Sequence, residues 1–171
     1  MIEVQDLCKY YKVHVRPPGL RAAVRSLFRR TFTTVKAVDR ISFRIGEGEI
    51  VAFLGPNGAG KTTTMKVLTG LLHPTSGTVV VDGFVPYKQS NAFKRRISLV
   101  MGQKSQLMWD IPAAETFLVN KEIYELSDRE YRRNLDELAD LLQLGPLMTK
   151  PVRQLSLGER MKCELAAALL H

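Results

Sequence analysis

The chain has 171 residues, 45% apolar and 25% charged, which is the composition of about one globular domain with enough material for a buried core. Its longest unbroken apolar run is the six residues from Leu165 to Leu170, far too short to span a bilayer, and the opening M-I-E-V-Q-D-L has no apolar signal-peptide core. The net charge of +8 is local: eight bases and no acid lie between Leu7 and Val38, and the rest carries 17 bases against 17 acids, which argues against a nucleic-acid surface spread over the protein. Cys8 and Cys163 are isolated, with no CxxC and therefore no disulfide or metal framework.

Short strands are predicted at 2–4 and 37–45, the second with Val38, Ile41, Phe43 and Ile45 in loose alternation. After the Glu47-Gly48 turn, E-I-V-A-F-L at 49–54 reads as a strand buried on both faces. A glycine-rich loop at 55–60 leads to a helix at 61–72, which His73-Pro74 and Ser76-Gly77 terminate. Strands follow at 78–81 and 97–101, then helices at 113–125 and 128–144. Ser127-Asp128 opens the latter and Gly145-Pro146 closes it. A last helix begins near Leu157 and runs to His171.

The string G-P-N-G-A-G-K-T, Gly55 to Thr62, fits GxxxxGK[ST] without a gap, between a predicted buried strand and a predicted helix. Glycines at 55, 58 and 60 allow left-handed backbone and close approach to a ligand. The loop amides and the helix N-terminus then converge on an anion. Lys61 suits the β- and γ-phosphates, and the Thr62 hydroxyl suits Mg²⁺. A glycine-rich strand–turn–helix connection without a ligand is the bland alternative, and eight matching positions with both flanks argue against it. Such a loop does not by itself choose among GTPases, kinases and transport ATPases.

Three motifs in order narrow the choice. The loop G-P-N-G-A-G-K-T-T-T, Gln103 closing a later strand, and L-S-L-G-E about fifty residues on resemble the ATP-binding subunits of ABC transporters, and G-L-L-H-P-T-S-G-T-V at 70–79 resembles the exporters of ABC-2 type. The resemblance runs from Ile2 to His171. It implies an α/β P-loop NTPase fold with an antiparallel N-terminal β part and an α-helical subdomain at about 104–156. The whole of 1–171 would be part of one nucleotide-binding domain.

Residue by residue, the resemblance implies that Tyr11 stacks on adenine, with Tyr10 beside it as the other choice. Gly55, Pro56, Asn57, Gly58, Ala59, Gly60, Lys61, Thr62 and Thr63 would hold the phosphates of ATP. Gln103 would join Thr62 at Mg²⁺ and act with Lys61 in catalysis. Ser156 and Gly158 would meet the γ-phosphate of ATP held by a second subunit. Ser156 with Glu159 is also a capping box, in which the hydroxyl accepts a backbone N–H and the Glu reaches back. Leu157 and Glu159 depart from the usual LSGGQ, and the capping role would turn the Glu159 carboxylate away from a triphosphate. The family's Walker B strand and switch His have no counterpart up to His171. The chain is thus expected to be an N-terminal fragment that binds nucleotide weakly and does not turn over, while the full-length protein is an ATPase.

Between Arg16 and Arg30, Leu20, Val24, Leu27 and Phe28 recur at helical spacing beside the row Arg21, Arg25, Arg29. This basic helix, within an insertion at about 16–36, would touch anionic lipid or an acidic patch on a membrane subunit; the bland reading is a solvated edge. Trp109 falls where the resemblance places contact with the membrane subunit, and core packing is the alternative. The leading expectation is the ATPase subunit of a membrane exporter. It would pair with a second copy and with permease subunits at the cytoplasmic face of the plasma membrane, without nucleic acid. The alternatives are a soluble ABC-type ATPase acting on ribosomes or DNA, and a complete non-hydrolytic nucleotide-binding module.

Overall fold

A computed structural model describes residues 1–14, 32–101 and 106–171. The chain divides into two compact units, Met1–Phe93 and Lys94–His171. The predicted basic helix at 16–30 and Gln103 lie outside the described residues.

In the first unit, β1 (Ile2–His14) is the centre of a three-stranded antiparallel sheet, flanked by β2 (Phe32–Ile45) and β3 (Ser76–Val81). β1 and β2 extend well beyond the strands expected at 2–4 and 37–45. Tyr10, Tyr11 and Lys12 pair with Lys36, Val35 and Thr34, and this ladder carries strand structure through residues with weak alternation. The register shifts between Val4 and Leu7, where Asp6 takes φ 46° and its amide donates to Ser42 Oγ at 2.8 Å. That is a bulge: one extra residue on β1 turns Leu7 and Cys8 into the core with Val4. Helix α1 (Lys61–Leu68) lies against β2 and β3 and buries Val67 and Leu68, and Val79 and Phe93 complete the core. α1 is shorter than expected because Gly70, at φ 73°, breaks it before Pro74 is reached.

The strand expected at 49–54 is absent. Residues 50–56 form no ladder, and Ile50 and Leu54 are 101% and 90% exposed. A strand exists only through pairing, and among the described residues none runs alongside this one; Phe53 makes one edge-on ring contact, with Phe43 at 5.5 Å. The strand expected at 97–101 is likewise not formed.

The second unit is helical. After the four-residue helix α2 (Asn91–Lys94), which straddles the division, come α3 (Ala113–Ile123), α4 (Asp128–Leu142) and α5 (Leu157–Leu169). α5 packs on α3 and α4 around Phe117, Leu138, Leu144, Val152, Cys163, Ala166 and Leu170. Two amide side chains fasten the C-terminal end of α5: Asn120 Nδ2 donates to Ala167 O at 3.1 Å, and Asn134 Nδ2 donates to Leu170 O at 2.9 Å. α4 begins in a full capping box, Ser127 with Glu130, and ends at Gln143 in left-handed conformation (φ 55°), ahead of the glycine expected to stop it.

Candidate functional site

The glycine loop has the backbone that its sequence demands. Gly55, Gly58 and Gly60 take φ of 146°, 85° and 87°, and Ala59 N donates to Pro56 O at 3.2 Å to close the turn. Gly60 is the N-cap of α1, and no side chain caps that helix start. Its amides are therefore offered to whatever sits above them. A Cβ at Gly60 would collide with the carbonyl oxygen of Ala37 and crowd Val38 Cγ2 at 3.2 Å, whereas one at Gly58 would meet nothing within 4 Å. One glycine thus lets the loop press onto β2, and the other leaves the opposite side open.

That open side is a cavity of about 270 Å³ lined by Ala37, Asn57, Gly58, Gly60, Lys61, Thr62 and Thr63. Among the described residues Lys61 is the only charged one in this lining, and the first turn of α1 holds no acid. The Lys61 ammonium folds back over the loop and donates to Gly55 O at 2.5 Å and Pro56 O at 2.7 Å. A cation whose partners among the described residues are its own loop's carbonyls, beside uncapped helix amides, is a setting that a phosphate oxygen improves. The residues present fit an anionic phosphate group. Thr64, one residue past the lining, turns inward: its hydroxyl donates to Gly60 O at 3.0 Å, which stiffens the first turn. Ala37 carried no sequence signal, since a small residue in a strand is unremarkable until the loop closes over it.

The two tyrosines separate. Tyr10 donates its hydroxyl to Asp39 in a short hydrogen bond, lies 3.3 Å from Cys8 Sγ, and has the Lys36 ammonium 5.4 Å from its ring centroid. The Asp39 bond pushes the Tyr10 hydroxyl far above its ordinary pKa and holds the Asp39 carboxyl below its own. Tyr10 is committed to its own sheet. Tyr11 is half-buried, with the Lys9 ammonium 5.1 Å from its ring centroid.

In the second unit, Ser156 is the N-cap of α5. Its Oγ accepts from Glu159 N at 3.3 Å, and its own N donates to Glu159 Oε2 at 2.8 Å. The backbone N–H and hydroxyl of Ser156 hold the Glu159 carboxyl below its usual range. Glu159 is therefore turned back on Ser156, as the capping pattern implied. A Cβ on Gly158 would meet nothing within 4 Å, so space is open beside the helix start, and Leu157 between them is 66% exposed. The equivalent box at Ser127 shows that capping alone does not mark a site.

The structure thus assembles Gly55–Thr63 into one cradle and Ser156 with Gly158 into a second helix-start surface, each in its own unit. The family model for ABC transporters matches residues 38–171. The chain belongs to the ABC transporter family. It is 36% identical over 137 residues to the ABC transporter ATP-binding protein NatA of Bacillus subtilis, covering 80% of this chain and 56% of that protein. It is also 36% identical over 135 residues to the daunorubicin resistance ATP-binding protein DrrA3 of Streptomyces coeruleorubidus, covering 79% of this chain and 42% of that protein. A dimeric structure of a bacterial ABC transporter cassette superposes with TM-score 0.75 at 25% identity, over 99% of this chain and 69% of that one. The fold of this ABC transporter chain is therefore the mixed α/β fold of the P-loop ATPase cassettes, as its motifs implied. The chain spans about half the length of the curated relatives it matches.

Proposed function

We propose that the protein is the ATP-binding subunit of an ABC-type membrane exporter, coupling ATP binding and hydrolysis to transport. The observation that carries this reading is the Lys61 ammonium held over an acid-free, uncapped helix start inside a glycine loop. The relatives named for ATP binding and drug resistance support the exporter reading over a soluble ribosome- or DNA-directed ATPase.

In this reading the loop amides from Gly55 to Thr63 bind the triphosphate, with Pro56 and Ala59 shaping the turn and Asn57 forming part of the wall. Lys61 leaves its loop carbonyls and moves to the β- and γ-phosphates. Thr62 and Gln103 would hold Mg²⁺, which when bound would supply charge neutralisation at the phosphates. Tyr11, whose hydroxyl is not tied to Asp39, stacks on adenine. Ser156 and Gly158 seal the γ-phosphate of a second copy, and Leu157 lies at that junction. The helical part at about 104–156 would meet the permease, and the basic segment at 16–30 would contact anionic lipid at the cytoplasmic membrane surface.

A division of labour tests this. With full-length protein, Ser156→Arg should keep fluorescent-ATP affinity within about threefold yet abolish ATP-dependent pairing by light scattering. Lys61→Ala should lose both. Loss of ATP affinity in monomeric Ser156→Arg would contradict the shared-site arrangement.

A further inference from the structure

β2 carries an extra residue where it passes the glycine loop. Lys9 pairs with Val38 and Tyr10 with Lys36, so β1 advances by one residue while β2 advances by two, and Ala37 is the one left over. A bulge of this kind bends its strand and re-aims the extra residue. Here Ala37 lines the cradle, and its carbonyl oxygen is the atom that a Cβ at Gly60 would strike. The bulge therefore sets where this wall of the cradle stands.

The residues on either side of Ala37 are tied together. The Lys36 ammonium lies 3.0 Å from Asp39 Oδ2 and 5.4 Å from the Tyr10 ring centroid. The Tyr10 hydroxyl donates to Asp39 Oδ1 in a short hydrogen bond. Beyond Asp39 the register shifts again: Arg40 takes φ 50°, and its amide donates to Cys8 Sγ at 3.3 Å. One carboxylate thus spans the bulge through Lys36 and fastens it across to β1 through Tyr10. The exposed ion pair alone would add little, but a hydroxyl on a strand-held ring gives the carboxylate a fixed partner.

We propose that Tyr10 and Asp39 are positioning residues for nucleotide binding, clamping the Ala37 bulge so that the cradle already has its open shape when ATP arrives. Neither side chain lines the cradle, so both act through Ala37. Holding a site in its binding shape beforehand lowers the cost of filling it. This inference rests on the exporter-ATPase reading above.

The test is steady-state ATP hydrolysis by the full-length protein with its membrane partner. Tyr10→Phe keeps the ring and loses the hydroxyl. It should raise KM for ATP about fivefold or more while kcat stays within about twofold, since only the empty cradle needs the clamp. Asp39→Ala should do the same, and the double variant should be no worse than either single one. Asp39→Asn should recover most of the loss, because its amide oxygen still accepts from Tyr10. If Tyr10→Phe does not accumulate, Asp39→Ala carries the same expectation. A role confined to stability would lower the unfolding midpoint and leave KM alone. With Lys61→Ala impaired, unchanged KM in either single variant, or losses that multiply in the double one, would overturn this proposal only. Hydrolysis that is absent from the wild type, or that survives Lys61→Ala, would overturn the exporter-ATPase reading and the proposal with it.

Discussion

At Gly60 two requirements meet. The residue stands at φ 87°, where a Cβ is strained, and that Cβ would strike the Ala37 carbonyl. Gly60→Ala should destabilise the first unit by about 2 kcal/mol or more and empty the cradle, as read by denaturant unfolding and nucleotide binding. Gly58→Ala meets only the conformational penalty, since nothing lies within 4 Å. Glu159 makes a different prediction. Its folded-state pKa is depressed, so its contribution is present above the ordinary Glu value of about 4.3 and fades as pH falls through the folded value. Glu159→Gln should flatten that acid limb in a pH series of unfolding midpoints, and an unchanged limb would contradict the box seen at Ser156. Ser156→Ala should cost about 1 kcal/mol. The Ser156–Glu159 box was readable because an i, i+3 pair is local. The contact between Glu164 and the Gln106 amide was not, because its partners lie 58 residues apart.

Among the elements, the helices were the most readable: α3, α4 and α5 begin where apolar periodicity and caps place them. The ends of α3 and α4 shifted by two residues where left-handed Glu125 and Gln143 closed the last turn, a choice that weak signals do not announce. The stretch at 49–54 misled for a physical reason. An apolar run reports a tendency to be buried, but the partner that would bury it is a separate piece of chain. Its exposed Ile50 and Leu54 are expected to favour self-association. Ile50→Lys with Leu54→Lys should reduce its aggregation in light scattering, and no change would relieve that segment of the role. For the segment at 16–30, reversing Arg21, Arg25 and Arg29 to Glu should weaken binding to phosphatidylserine vesicles more than tenfold at low salt, given about 1 kcal/mol per base. Unchanged binding would leave the basic row without a membrane role.

For the whole molecule, the division into two units means that the cradle and the Ser156 surface rest on separate cores. Phe117 is fully buried in the helical core and Phe93 in the sheet core. Phe117→Ala should cost about 3–5 kcal/mol in the helical unit and leave nucleotide binding at the Lys61 loop largely intact. The loop and its two partners in sequence order mark the family in the sequence itself, since phosphate binding needs contiguous backbone. Ala37 and the Tyr10–Asp39 bond needed the sheet register to appear. Everything proposed for function depends on the Lys61 loop taking up the phosphates of ATP. Calorimetric titration of Mg–ATP into the full-length protein tests this most directly: Lys61→Ala should weaken affinity at least tenfold with the fold unchanged, whereas equal affinity in the two proteins would contradict it.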